Sequence, residues 1–150
     1  AIYIDDRRVA HHCDEGGFTI LNLETGKATL VNLPDEVTSD MQLGTARFSP
    51  NGSRIAFAAM TGGHGQIEET RGYIAVSDNL SLTGSSHVIV TSQPGGWFTV
   101  LGLLSDDRLV LHSYSADPSG RHWPAVWTVR ADGSGLVKLA EGTFLAGFGG

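Results

Sequence analysis

Cysteine is nearly absent from this sequence: Cys13 is the single one in 150 residues. One thiol cannot close an internal disulfide or supply a paired-cysteine metal site. Charge is also sparse, at 17% of residues, and its surplus is acidic: 16 Asp and Glu stand against 10 Lys and Arg, a formal net charge of −6. Such a surface lacks the cations that displace phosphate counterions, which argues against general nucleic-acid binding. No apolar run approaches the ~20 residues of a membrane-spanning helix. No basic segment followed by an apolar stretch opens the chain, so no signal peptide is expected. A G-x-S-x-G elbow, a P-loop, a dinucleotide-binding fingerprint and an H-E-x-x-H pair are all missing. The sequence therefore nominates no catalytic residue and no cofactor.

Apolar residues, by contrast, make up 41% of the chain and run through its whole length, and 20 residues are glycine. Many tight turns between short apolar runs indicate an all-β chain. Three segments align with one another: "IYIDDRRVAHHC" (Ile2 to Cys13), "ARFSPNGSRIAFAA" (Ala46 to Ala59) and "LGLLSDDRLVLHSY" (Leu101 to Tyr114). Each has a strand, a polar turn, an arginine (Arg8, Arg54, Arg108) and a second strand opening on an aliphatic residue (Val9, Ile55, Leu109). A third strand follows in each unit, "FTILNL", "YIAVSD" and "AVWTVRAD", then a polar turn and a fourth, "ATLVNL", "HVIVTS" and "LVKLAE". Four short strands repeating every ~40 to 50 residues are the pattern of propeller blades. An antiparallel sandwich is the competing arrangement, but its strands alternate with one wet face. Runs such as Ile55-Ala56-Phe57-Ala58 are apolar on both.

"FSPNGSRIAF" and "WTVRADGSGLVKLAEG" resemble the strand–turn–strand and outer hairpin of the TolB-type, WD40-like (PD40) β-propeller repeat family. The first unit departs from that pattern, with "IDDRR" and "LETGK" in its turns, and Asn51 stands where the family usually has Asp. The resemblance implies a β-propeller segment of about three four-stranded antiparallel blades: residues 1–44, 45–98 and 99–142. Residues 143–150, "TFLAGFGG", look like the first strand of a fourth. It further implies a periplasmic or extracellular setting, and three blades are too few for a ring, so the chain is expected to be a piece of a longer propeller or else to assemble a ring or face-to-face dimer from copies. Uncovered blade faces would favour self-association.

Alternating strand direction sorts the connections onto two ends of the blades. Strand 1–2 and strand 3–4 turns share the bottom; strand 2–3 loops and the crossings between blades, Pro34 to Gly44 and Gln93 to Phe98, share the top. The top connections hold eight acids, Asp14, Glu15, Asp35, Glu36, Asp40, Glu68, Glu69 and Asp117, against Arg71 and Arg121. An acidic face favours cationic partners. Glu68, Glu69 and Asp117, with the aromatics Trp97 and Trp123, are the candidate partner-binding residues. His12, His64, His112 and His122 fall on the same side and are the candidate metal ligands, although their spacing follows no ligand pattern and blade packing with hydrogen bonds to loop backbone explains them better. Cys13 beside His11 and His12 gives no thiol dyad, because strand neighbours point to opposite faces.

Two functions follow as expectations. The first is a non-catalytic module that presents acidic top loops to a protein or peptide. The second, which the resemblance also implies, is the substrate-gating propeller of a prolyl-oligopeptidase-like hydrolase whose catalytic domain lies outside this chain.

Overall fold

The computed structural model describes residues 2–5, 8–13, 17–38, 40–61, 69–78, 85–105, 108–115 and 124–142. They form twelve strands in three four-stranded antiparallel sheets, each of four consecutive strands in sequence order. Blade 1 is β1 (Ile2–Asp5), β2 (Arg8–Cys13), β3 (Gly17–Asn22) and β4 (Ala28–Asn32). Blade 2 is β5 (Gln42–Phe48), β6 (Arg54–Met60), β7 (Gly72–Asp78) and β8 (Ser86–Thr91). Blade 3 is β9 (Gly96–Ser105), β10 (Arg108–Ser115), β11 (Ala125–Arg130) and β12 (Val137–Glu141). The chain is thus an all-β, propeller-like segment, as expected. No helix among the described residues is long and apolar enough to cross a membrane. The segment expected to start a fourth unit, 143–150, lies outside the described residues.

Face-to-face stacking explains the doubly apolar strands. In blade 2, Ile55, Phe57 and Ala75 join Phe18, Ile20 and Val31 of blade 1 in one core. Their neighbours Ala56, Ala58, Ile74 and Val76 join Val100, Leu109, Leu111 and Val129 of blade 3 in another. Successive strand residues face opposite sides, so each half of the alternation is buried by a different blade. The Phe18 and Phe57 rings meet edge to face, centroids 5.0 Å apart, the arrangement favoured by the ring quadrupole. Small Ala56 and Ala58 stand against large Leu109 and Leu111, which lets the two sheets interdigitate.

Polar ties hold the blades in register. The Ser86 hydroxyl donates to Asn32 O across blades 1 and 2. Val100 N–H donates to Thr45 Oγ1 at 2.6 Å, and His87 Nε2 donates to Ala131 O at 3.2 Å, both across blades 2 and 3. The bottom turns carry the expected chemistry. Gly52 (φ +71°) closes the Ser49–Gly52 turn through Gly52 N to Ser49 O, 2.8 Å. Gly133 (φ +83°) closes the strand 3–4 turn of blade 3 through Gly133 N to Arg130 O, 2.9 Å. A left-handed backbone suits glycine because it has no Cβ to clash.

Two crossings are shorter than the sequence suggests. Residues 42–44 belong to β5, paired from Gln42↔Met60 onward, and residues 96–98 belong to β9, paired from Gly96↔Ser115. The flanks of the segment also differ from one another. Leu21 and Leu30, on the side of blade 1 away from blade 2, are exposed, whereas Val110, His112 and Val126 on the far side of blade 3 are buried.

Candidate functional site

The best-formed candidate is a cleft at the top of the blade 2–blade 3 junction, with a volume near 400 Å³. Its walls are mostly apolar, from Leu43, Ala58, Met60, Trp97 and Phe98; Gln42, Thr45 and Thr99 supply the polar groups. Size and lining both match small-ligand and side-chain pockets, which are typically ~300–1,000 Å³ and apolar with a few placed polar atoms.

The cleft exists because β5 is irregular at its upper end. Pairing runs Leu43↔Ala59 and then Ala46↔Phe57, so Gly44 and Thr45 together oppose Ala58. Such a bulge re-aims a side chain, and here it delivers the Thr45 hydroxyl to the Val100 amide of β9. A Cβ on Gly44 would lie 3.3 Å from the Ala58 Cβ, so a larger residue would crowd the floor.

The start of β9, Trp97 to Thr99, forms the opposite wall; Phe98 turns toward blade 2, and the Trp97 side chain turns to the other side of the sheet. Its ring stacks on Tyr114, centroids 5.4 Å apart and planes 9° apart. Tyr114 in turn lies 4.3 Å from the His112 ring. Behind Trp97, the Ser92–Gly96 crossing is stitched to the start of β7. Gly72 N donates to Ser92 Oγ, Ser92 N donates to Gly72 O and Gly95 N donates to Thr70 O, each at 2.8 Å. Gly72 is so close that a Cβ there would lie 2.5 Å from the Trp97 Cα. A wall fixed in this way is ordered before anything binds to it.

Exposed acids lie on the connections that lead into the strands of the cleft. Asp35, Glu36 and Asp40 are exposed on the crossing that leads into Gln42, and Glu69 is exposed on the stretch whose carbonyl meets the Thr61 hydroxyl, next to Met60. Asp40 accepts a hydrogen bond from the Thr38 hydroxyl, which holds its carboxyl below the ordinary aspartate range. Arg71 is the one base among the described top-face residues.

Of the residues nominated from sequence, Trp97 lies in the cleft wall and Glu69 near its mouth. Glu68, Asp117, Trp123, His64 and His122 lie outside the described residues. His12 is placed on β2 and His112 on β10, at matching positions: His12↔Phe18 in blade 1 and His112↔Val126 in blade 3. Blade 2, with Ala58 at that position, stands between them. His112 is fully buried, and its Nε2 has no hydrogen-bond partner among the described residues. No group of three or more metal-ligating side chains occurs among the described residues.

The part sequence reasoning missed is the β5 wall, Gln42 to Thr45, most of which the sequence pattern assigns to a crossing. Gly44 inside an apolar run is the signal that could have found it, since glycine within a strand commonly marks a bulge. Comparison with protein-family models, curated proteins and solved structures gave no match for this chain.

At the bottom of the same junction lies a polar cleft of about 240 Å³. It contains His87 and the Arg54–Asp78 ion pair, Nε to Oδ1 2.6 Å, and blade 3 contributes Arg130, Ala131 and Asp132. At the blade 1–blade 2 junction the Arg8 guanidinium lies 3.7 Å from the Phe48 ring centroid.

Proposed function

We propose that this chain is a binding module that presents the top of its blade 2–blade 3 junction to a peptide or protein segment, without chemistry of its own. The observation that carries the reading is the apolar cleft lined by Leu43, Met60 and the part-buried Phe98, with exposed Asp40 and Glu69 on the connections beside it. Rigid aromatics in part-buried positions are common anchors at interfaces. An acidic rim attracts cationic segments and speeds their encounter. The preferred partner is therefore a segment with a bulky apolar residue beside Lys or Arg. The cleft offers two hydroxyls and an amide as its side-chain polar groups, which suits orientation of a bound chain better than acid–base catalysis. The likeness of "FSPNGSRIAF" to TolB-type repeats supports the same reading.

Selection from a phage-displayed random peptide library on the immobilised chain tests it. Enriched peptides should carry an apolar residue next to a basic one. Their affinity should fall at least about tenfold in Phe98→Ala, a loss typical of an interface anchor, and also in Met60→Glu, which leaves the Trp97–Tyr114 stack in place. No enrichment over an unrelated β protein, or peptides indifferent to both substitutions, would overturn the proposal.

A further inference from the structure

We propose that Arg108 and Arg130 together form an oxyanion-binding site at the bottom of blade 3, taking a carboxylate or a phosphoryl group. One position recurs across the three blades and carries a different pair in each. Arg8, Arg54 and Arg108 are each the first residue of their blade's second strand. Each is paired directly with a residue of the third strand: Arg8↔Asn22, Arg54↔Asp78 and Arg108↔Arg130. Directly opposed residues project to the same side of a sheet, with Cβ atoms roughly 4.5–5.5 Å apart.

The three arginines have different surroundings. In blade 1, Arg8 faces an amide and lies over the Phe48 ring at 3.7 Å. In blade 2, Arg54 faces a carboxylate and pairs with it at 2.6 Å. In blade 3, a second guanidinium occupies the place of that carboxylate. Arg108 and Arg130 are both exposed, and neither side chain makes a hydrogen bond or ion pair among the described residues. Asp132, two residues beyond Arg130, accepts the Ser134 N–H at 2.8 Å within its own turn and feels the Arg130 charge without pairing with it.

Like charges directly opposed weaken a strand pair. An arrangement that repeats the blade 2 geometry but doubles the cation is completed by an anion from outside. Guanidinium is a planar fork that binds carboxylate and phosphate oxygens two at a time and stays charged at all physiological pH. Two forks on one side of adjacent strands can share one oxyanion. The site is at the opposite end of the blades from the Trp97 cleft and does not depend on what that cleft binds.

The experiment is thermal melting and calorimetric titration of the full chain with inorganic phosphate, with acetate, and with sodium chloride at matched ionic strength. Phosphate at about ten times its dissociation constant should raise the melting temperature by roughly 3–6 °C over the chloride control. A matching rise with acetate assigns the site to carboxylates, and a rise with phosphate alone assigns it to phosphoryl groups. Arg130→Asp rebuilds the blade 2 pair in blade 3. It should melt higher than the parent in chloride and show no phosphate response, and Arg130→Gln should lose the response as well. Equal melting in phosphate and chloride for the parent, or an unchanged phosphate response in both variants, would overturn the proposal.

Discussion

Replacing Gly72 by Ala adds a single methyl group, and its consequence can be worked out from the geometry around Trp97. The new Cβ would lie 2.5 Å from the Trp97 Cα, 3.1 Å from the Phe98 N and 3.1 Å from the Trp97 C. All three are backbone atoms, so no side-chain rotation relieves the contact. The crossing must move outward by about 1 Å to restore van der Waals separation. The three 2.8 Å hydrogen bonds that stitch Thr70 and Gly72 to Ser92 and Gly95 oppose that movement. Overpacking a tight site usually costs about 1–3 kcal/mol, and stretching a buried hydrogen bond adds about 1 kcal/mol. A loss near ~3 kcal/mol corresponds to roughly 6–12 °C in melting temperature for a chain of this size. Gly102→Ala is the matched control: it lies in β9, and nothing is within 4 Å of the added Cβ. It should be neutral or gain a few tenths of a kcal/mol from reduced freedom of the unfolded chain. Thermal denaturation followed by circular dichroism measures both, and tryptophan fluorescence reports whether Trp97 has left Tyr114. If Gly72→Ala melts within about 2 °C of the parent, well short of the expected loss, the crossing is not a rigid support for Trp97.

Four further substitutions probe the rest of the frame. Phe57→Ala removes a fully buried ring that meets Phe18 edge to face and should cost about 3–5 kcal/mol in chemical denaturation. Thr45→Val leaves the Val100 amide without its acceptor; a loss of about 1–3 kcal/mol is expected, with weaker binding of any peptide selected on the cleft. His112→Leu should be neutral or stabilising in the same assay, because the parent buries an Nε2 with no partner among the described residues. Asp132 has its carboxyl held below the usual aspartate range by Ser134. It therefore binds fewer protons folded than unfolded, and its stabilising effect is present above the ordinary aspartate range and is lost as pH falls through the lowered value. Asp132→Ala should narrow the melting-temperature gap between acidic and neutral pH, and an unchanged gap would refute the Ser134 contact as its source.

Legibility from sequence tracked how local the determining physics was. The four-strand units and the stacking of their faces could be read from Ile55-Ala56-Phe57-Ala58, because a strand apolar on both faces must be covered from both sides. The bottom turns were readable for a similar reason, since Asn51-Gly52 and Asp132-Gly133 carry their geometry in adjacent residues. The top cleft was only half readable. Trp97 stood out by type, but Pro94-Gly95-Gly96 reads as loop, and only the pairing with Ser115 and Tyr114 makes Gly96 and Trp97 strand. Only Gly44 marks the bulge in β5, and the hydrogen bond it sets up from Val100 to Thr45 was hidden because it is a relation between blades rather than a pattern within one. The Arg108–Arg130 juxtaposition was also hidden, since only register places two arginines so far apart in the chain side by side.

The double burial of blade 2 has a consequence for motion. Residues Ile55 to Ala59 and Ile74 to Ser77 are buried without a break, while β12 is exposed at every position. Opening β6 or β7 to solvent requires both neighbouring cores to come apart, whereas β12 can detach while both persist. Amide protons should therefore exchange last in the middle sheet and first along Val137 to Glu141, grading outward from the centre of the stack. The upper ends of β5 and β9, which wall the cleft, sit on that slow-exchanging centre, so the cleft keeps its shape while the periphery breathes.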